Sequence, residues 1–343
     1  MKAILLQEHG GPEKLIFSEF ETPHPGPGEV QVNLKAAALN RLDLWTRNGY
    51  PGLKIVYPYI LGGDGAGVVT AIGEGVTRFA IGDRVVINGT LSCGMCDACL
   101  AGEDNLCRVG GVLGETAVRG TYAEYIVLPE RQLLKIPDHL SFEDAAAASL
   151  VFMTAYHSLI TKGRLKPGET VLVLGAGGGA NTAYIQLAKL IGATVYVVGS
   201  SDEKLAKAEE LGADFTINRH AEDWGKAVFQ MTEKRGVDVV VDNVGQATWA
   251  SSLRALARGG RMLVVGNTSG YEIRIDSRYI FGKHVSIIGS SMAPQADFRR
   301  VMGLLFDRKV RPVVGAVLPL EEASKAHEIL EQGEVFGKIV LTC

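Results

Sequence analysis

"TVLVLGAGGGANTAYIQLAK", residues 170–189, decides the fold. A run of Val, Leu and Thr reads as a strand, a glycine cluster follows it, and the glycines open directly into a stretch with helical spacing. Glycine lets a backbone approach a pyrophosphate closely, and the N-terminus of a helix offers it oriented N–H groups. Gly175-x-Gly177-x-x-Ala180 meets the G-x-G-x-x-G/A form in the strand–turn–helix context that this form requires. Gly175, Gly177, Gly178, Gly179 and Ala180 are therefore expected to line a dinucleotide site.

The same alternation continues outward. "TVYVVGS" (194–200), "DFTIN" (214–218), "VDVVVDNVG" (237–245), "RMLVVGN" (261–267) and "HVSIIGS" (284–290) read as further strands. Helices are expected over 181–192, 201–212 and 246–259. Near-continuous apolar strands joined by helices predict an α/β fold with a doubly wound, six-stranded parallel sheet. Before residue 150 the pattern differs. Short β-type runs broken by Gly and Pro, such as "EVQVNLKAAALN" (29–40) and "IGDRVVIN" (81–88), predict a small irregular β-barrel. After residue 289 the alternation breaks again. The expected organisation is a barrel domain over 1–150, a dinucleotide-binding domain over 151–289, and a return to the barrel domain over 290–343.

The 343 residues carry a net charge of −3, which gives no attraction for nucleic acid or an anionic membrane. The longest apolar stretch, "AAAASLVFM" (145–153), is far short of a bilayer span, and "MKAILLQEHGGPE" has no long apolar core of a secretory signal. A cytoplasmic protein acting on a small molecule is expected, with neither nucleic acid nor membrane as partner.

"CGMCDACLAGEDNLC" (93–107) gathers four of the five cysteines. In a reducing compartment such a cluster reads as metal ligands rather than disulfides. Four thiolates at Cys93, Cys96, Cys99 and Cys107 would fill a tetrahedral zinc shell and leave no open position, which predicts a structural site.

The end of the second strand bears on the dinucleotide type. An NAD site places an acid there for the ribose 2′-hydroxyl. Here Gly199-Ser200-Ser201 stands instead, with Asp202 one step into the next helix, Lys204 close behind, and Arg219 after the third strand. Hydroxyl and cationic side chains favour a 2′-phosphate, hence NADP(H). Ser200-x-x-Glu203 also reads as a helix capping box.

With "GPEKL" (11–15), "PGPGEVQV" (25–32), "GDGAGVV" (63–69), "IGDRV" (81–85), the cysteine lobe, "GTYAEY" (120–125), "TAYHSL" (154–159) and "GKIVL" (337–341), the chain resembles the medium-chain dehydrogenase/reductase superfamily along essentially its whole length. The resemblance implies a GroES-like barrel interrupted by a Rossmann domain, one structural zinc on the cysteine lobe, and a homodimer or homotetramer pairing through "HVSIIGS". It also implies that Asn267 and Thr268, after the fifth strand, lie near the nicotinamide.

The resemblance further locates where zinc-dependent members hold a catalytic metal. Where they have the Cys of "ALCRTD", this chain has Asn40 in "ALNRLDLW". Where they have the pair of "GHEGAG", it has Gly63 and Asp64. Four residues before Thr154, in place of Cys or Asp, it has Leu150. Zinc lowers the pKa of bound water from about 15.7 to about 7, and an alcohol gains similarly. Without it, alcohol oxidation is not expected. Hydride delivery to an enone, enoyl thioester or quinone is less demanding, because hydrogen-bond donors can hold the delocalised charge that forms.

Zinc-free members carry the same Asn. "INR" (217–219), "DSRYIF" (276–281) and Glu115 in "LGETAVRG" match the crotonyl-CoA reductase/carboxylase branch, whereas Ser291 replaces that branch's carboxylation histidine. Asn40, Asp64 and Glu115 are thus the expected catalytic residues of an NADPH-dependent reductase. Tyr57 and Tyr59 are expected beside the cleft, either shaping substrate binding or packing the barrel, and His157 is expected as a packed helix residue. The alternatives are a zinc-dependent alcohol dehydrogenase with a metal on Asp64, and a non-catalytic nucleotide-binding protein.

Overall fold

The stretch at 170 folds as the strand Thr170–Leu174, a glycine turn, and the helix Gly179–Ile191. Gly175 has φ of +109°, open to glycine alone without strain, and a Cβ there would stand 2.3 Å from Asn181 Nδ2. The computed structural model describes every residue of the protein except Ala117. The backbone forms two compact units, Met1–Met153 with Ala293–Cys343, and Thr154–Met292. The expected boundaries at 150 and 289 thus fall slightly before the observed ones. The first of these lies inside the helix Phe142–Tyr156.

Thr154–Met292 is built on a six-stranded parallel sheet. Its order is Phe215–Asn218, Thr194–Gly199, Thr170–Leu174, Val237–Asp242, Leu256–Val264, Ser286–Gly289. The central strands are apolar on both faces because helices cover both, and Val171, Val173, Val197, Val239 and Val241 are fully buried.

One expectation fails here. The helix expected over 246–259 ends at Ala255, and the next strand begins at Leu256 rather than 261. The ammonium of Lys283 donates to the carbonyls of Leu253 (3.5 Å), Arg254 (2.8 Å) and Leu256 (2.7 Å), satisfying the helix end from outside. Gly259 and Gly260 then favour the extended chain over more helix. A tertiary contact overrides the apparent helical run.

The other unit holds a seven-strand barrel sheet. Its path is Val314–Pro319, Lys338–Thr342, Glu29–Ala38, Asp64–Ile72, Arg84–Ile87, Leu133–Lys135, with Tyr125–Pro129 also paired to Glu29–Ala38. Val30, Val32 and Leu34, at period two, enter one core with Val69, Val85 and Ile87. Ala37 and Leu39 enter a second core with Ile4, Leu6, Tyr122 and Leu341. Among the described residues no helix is long and apolar enough to cross a membrane.

Close strand packing makes Gly67 a sensitive position, since a Cβ there would lie 2.1 Å from the Asn33 carbonyl oxygen. Gly75, with φ of +80°, has nothing within 4 Å. Gly67→Ala should cost about 3 kcal/mol or more in urea unfolding, and Gly75→Ala only roughly 1 kcal/mol from its left-handed backbone. Equal losses would show that the clash at Gly67 is relieved by strand movement.

Candidate active site

Strand register brings the barrel residues together. In the antiparallel pair Val340↔Ala38, Leu341↔Ala37, the last strand runs on to set Lys338 beside Asn40, while Ala38 lies opposite Asp64 on the other side. The Lys338 ammonium donates to Asn40 Oδ1 at 2.6 Å and to Asp64 Oδ2 at 2.9 Å. Asn40 Nδ2 donates to the same Asp64 oxygen at 2.9 Å. The other carboxylate oxygen, Oδ1, accepts the backbone N–H of Leu150 at 2.8 Å. Asp64 is completely buried and Lys338 is 4% exposed, so this ion pair lies in the interior.

A second carboxylate sits behind the first. Asn40 is the N-cap of the helix Arg41–Asn48, and its backbone N–H donates to Asp43 Oδ2 at 2.7 Å. The Tyr122 hydroxyl donates to that oxygen at 2.9 Å. Burial, and next the charge of Asp43, hold the Tyr122 phenol well above its ordinary range, so it remains a donor.

Of the three expected residues, the structure joins Asn40 and Asp64. Glu115 accepts instead from the Tyr50 hydroxyl at 2.6 Å, and burial followed by that carboxylate pushes the Tyr50 phenol up. Tyr59 is buried, and its hydroxyl is directed at the carbonyls of Thr116 (2.5 Å) and Val118 (2.9 Å). Tyr57 is part-exposed, and His157 is buried. The sequence reading missed Lys338, Asp43 and Tyr122. A lysine opening the apolar strand "KIVLT" was the available signal, since a charge there needs a buried partner.

The positions matching the metal ligands of zinc-dependent proteins carry few donors. A Cβ on Gly63 would meet Leu150 Cδ1 at 3.6 Å and Val112 Cγ1 at 3.9 Å. Leu150 thus contributes a backbone N–H to Asp64 and an apolar wall beside Gly63.

The cysteine lobe has a different chemistry. The sulfurs of Cys93, Cys96, Cys99 and Cys107 all lie within 4.8 Å of one another. Cys96 and Cys99 are 3.5 Å apart, Cys93 and Cys99 3.9 Å, and Cys96 and Cys107 3.9 Å. A tetrahedron with metal–sulfur bonds of about 2.3 Å has edges of about 3.8 Å. The donor set therefore fits zinc. Backbone N–H groups of Met95 and Cys96 point at Cys93 Sγ, and that of Cys93 at Cys107 Sγ. Asp104, between the third and fourth cysteines, accepts the N–H of Gln295 at 3.0 Å and so caps the helix Gln295–Phe306.

In Thr154–Met292 the expected dinucleotide residues gather at the carboxyl ends of the strands. Gly178 is the N-cap of the helix Gly179–Ile191, with Gly179 and Ala180 in its first turn. Asn181 ties the turn down: its Nδ2 donates to the Leu174 carbonyl at 3.2 Å, and its Oδ1 accepts Asn243 Nδ2 at 2.7 Å. The Asn243 carbonyl accepts from Thr268 N and Oγ1 at 3.3 Å each, which brings the 267–268 segment to the same end of the sheet. Neither Asn181 nor Asn243 was anticipated.

Gly199 pairs with Asn218, so Ser200 and Arg219 follow neighbouring strand ends. The helix cap is Ser201, accepting Lys204 N at 3.4 Å, rather than Ser200 as the Ser200-x-x-Glu203 pattern indicated. Asp202 is engaged by Asn218 Nδ2 at 2.7 Å.

Asp43 carries a pH signature. Burial outweighs the N–H of Asn40, the hydroxyl of Tyr122 and the charge of Lys338, and its carboxyl is pushed up to about 6. The folded protein then holds this proton through a window in which the unfolded chain has released it. The stabilisation is full below pH about 4 and is lost as pH rises through about 6. Relative to Asp43→Asn, the wild type should lose stability across that window in urea titrations and run parallel above it. Parallel curves throughout would place the Asp43 carboxyl in the ordinary range.

Comparison with known proteins gives the family. Residues 179–307 match the zinc-binding dehydrogenase family and residues 26–138 the alcohol dehydrogenase GroES-like domain. The chain is 34% identical to the acryloyl-coenzyme A reductase of Metallosphaera sedula over 100% of both chains. It is 36% identical to an alcohol dehydrogenase of Geobacillus stearothermophilus over 99% of both. It superposes with a TM-score of 0.97 on the crystal structure of an NAD-dependent alcohol dehydrogenase, at 48% identity and full coverage of both chains. With its GroES-like unit and its parallel six-stranded unit, the chain belongs to the medium-chain dehydrogenase/reductase superfamily and is an NAD(P)H-dependent oxidoreductase.

Proposed function

We propose that this protein reduces conjugated double bonds or quinones with NADPH, without a catalytic metal, and that Cys93, Cys96, Cys99 and Cys107 hold one structural zinc. The observation that carries the reading is the side-chain set at the matched ligand positions. Asn40, Gly63 and Leu150 offer one amide, a hydrogen and an isobutyl group, and both oxygens of the neighbouring Asp64 are already engaged by Lys338, Asn40 and the Leu150 N–H. A catalytic zinc needs three protein ligands and an open position. The likeness to the acryloyl-coenzyme A reductase supports a conjugated thioester as one acceptor class.

Bound NADPH would supply the hydride. Gly175, Gly177, Gly178, Gly179 and Ala180 would take its pyrophosphate on the helix N-terminus. Ser200, Ser201, Lys204 and Arg219 would take the 2′-phosphate, and Asn267 and Thr268 would contact the carboxamide. Hydride adds to the β-carbon of an enoyl acceptor, the electron pair shifts to the carbonyl oxygen, and solvent protonates the α-carbon. Asn40 would donate to that oxygen. One N–H of its amide is spent on Asp64, and the other has, among the described residues, only the Ala38 carbonyl at 3.5 Å, the long limit of a hydrogen bond. Glu115, through Tyr50, would border the acceptor. The exposed edge strand Ser286–Gly289 supports pairing into a homodimer or homotetramer, and thiol ligands suit a reducing cytoplasm.

The second reading, an alcohol dehydrogenase, is favoured by the high identity to the crystal structure named as one. On that reading a metal on Asp64 would have to displace the Lys338 ammonium.

Metal-quantified protein should oxidise NADPH with an enoyl thioester, an enal or a quinone, but not with a saturated aldehyde, at one zinc per chain. Aldehyde turnover with a second zinc would overturn the reading. Arg219→Ala should raise KM for NADPH about tenfold and leave that for NADH unchanged. An equal rise for both would remove Arg219 from phosphate recognition.

A further inference from the structure

We propose that Lys338 is a positioning residue of the hydride-acceptor site, whose ammonium, paired with Asp64, dictates which way the Asn40 amide faces. This deepens the proposed function and rests on it.

An amide side chain has two ends of nearly equal shape and opposite hydrogen-bonding character. Which end faces where is set by its neighbours. At Asn40 both neighbours are charged and of opposite kind. An ammonium has donors only, so the group 2.6 Å from Lys338 Nζ must be the amide oxygen. An ionised carboxylate has acceptors only, so the group 2.9 Å from Asp64 Oδ2 must be the nitrogen. Lys338 and Asp64 are themselves 2.9 Å apart, which closes a three-membered ring of contacts. Reversing the amide would set its oxygen against the carboxylate and its N–H groups against the ammonium, exchanging two charge-assisted bonds for two repulsions. Among the described residues, the ring leaves one N–H of the nitrogen committed only to the distant Ala38 carbonyl. On the proposed reading, that N–H is the one that would meet a developing oxygen anion, and the ring holds its direction.

The arrangement also explains a lysine buried at the start of a strand. Its charge costs desolvation that one carboxylate only partly offsets. A packing role would be met by an apolar residue. An ammonium is needed if its charge does something to a neighbour, and Asn40 is the uncharged side chain it holds.

The test compares wild type, Lys338→Met, Lys338→Arg and the double variant Lys338→Met/Asp64→Asn, all zinc-quantified. Lys338→Met alone leaves Asp64 buried without its cation and can fail to fold. The double variant removes both charges together and keeps the volume, so it should fold. It no longer specifies the amide direction. Its kcat with the enoyl thioester should fall on the order of tenfold or more, with KM for NADPH unchanged within about twofold. Lys338→Arg, which keeps a donor-only cation, should recover part of kcat where it folds. A purely structural pair would instead lower melting temperature and leave kcat of the folded protein intact. If the double variant retains wild-type kcat on conjugated acceptors, the inference about Lys338 fails and the proposed function stands. If the wild type reduces no conjugated acceptor, the proposed function fails and this inference falls with it.

Discussion

A buried charge pair at the meeting of three strands organises the barrel unit. Lys338 and Asp64 come from different strands, and the strand Glu29–Ala38 that leads to Asn40 runs between them. Neither charge could stay inside without the other, because removing one leaves an uncompensated ion where water cannot reach. The strand register must therefore be held to the residue. A one-residue slip would turn Lys338 or Asp64 to the opposite face and break every bond in the cluster. The pair fixes geometry more than it adds stability.

In Thr154–Met292 a buried carboxylate is held by neutral donors instead. Asp242 is fully buried at the end of its strand and accepts from the N–H groups of Val244 (3.0 Å) and Gly245 (2.9 Å) and from the hydroxyls of Thr248 and Ser252 (both 2.8 Å). Several aligned donors satisfy a buried carboxylate where a single one would leave lone pairs unpaired. The loop of Val244 and Gly245 carries Asn243, which reaches Asn181 in the helix after the glycine turn and also the 267–268 segment. Neutral donors shape this unit's end of the sheet, and opposite charges shape the barrel's.

Much of this was legible in the sequence for physical reasons. Apolar runs covered on both faces announce a parallel sheet, and glycines between a strand and a helical run announce a tight turn, because both constraints are local. Four cysteines within a short loop converge with little help from the rest of the chain. Lys338 and Asn40 are different. Their meeting depends on antiparallel pairing across 298 residues of sequence, and the apolar run after Lys338 signals that it needs a buried partner without saying which. The helix that stops at Ala255 was misread for the same reason, since Lys283 ends it from outside its own sequence. Capping by Ser201 instead of Ser200 was missed at closer range, where two adjacent serines offer the same hydroxyl and only the turn chooses between them.

The barrel sheet is discontinuous: strands near residue 30 are completed by strands beyond residue 313, with the other unit inserted between. Contacts of such long separation close slowly, because the loop entropy must be overcome before they contribute. The order of folding is then constrained by connectivity. The inserted parallel sheet can collapse on its own contacts, which draws the two ends of the barrel sequence within reach. Before that, Asp64 stands in a barrel lacking its cation, and the cysteine lobe lacks the helix that Asp104 caps. Slow folding of the inserted unit would therefore surface as incomplete barrels, and a chaperone would meet this chain with its sheet open along the Asn40 strand.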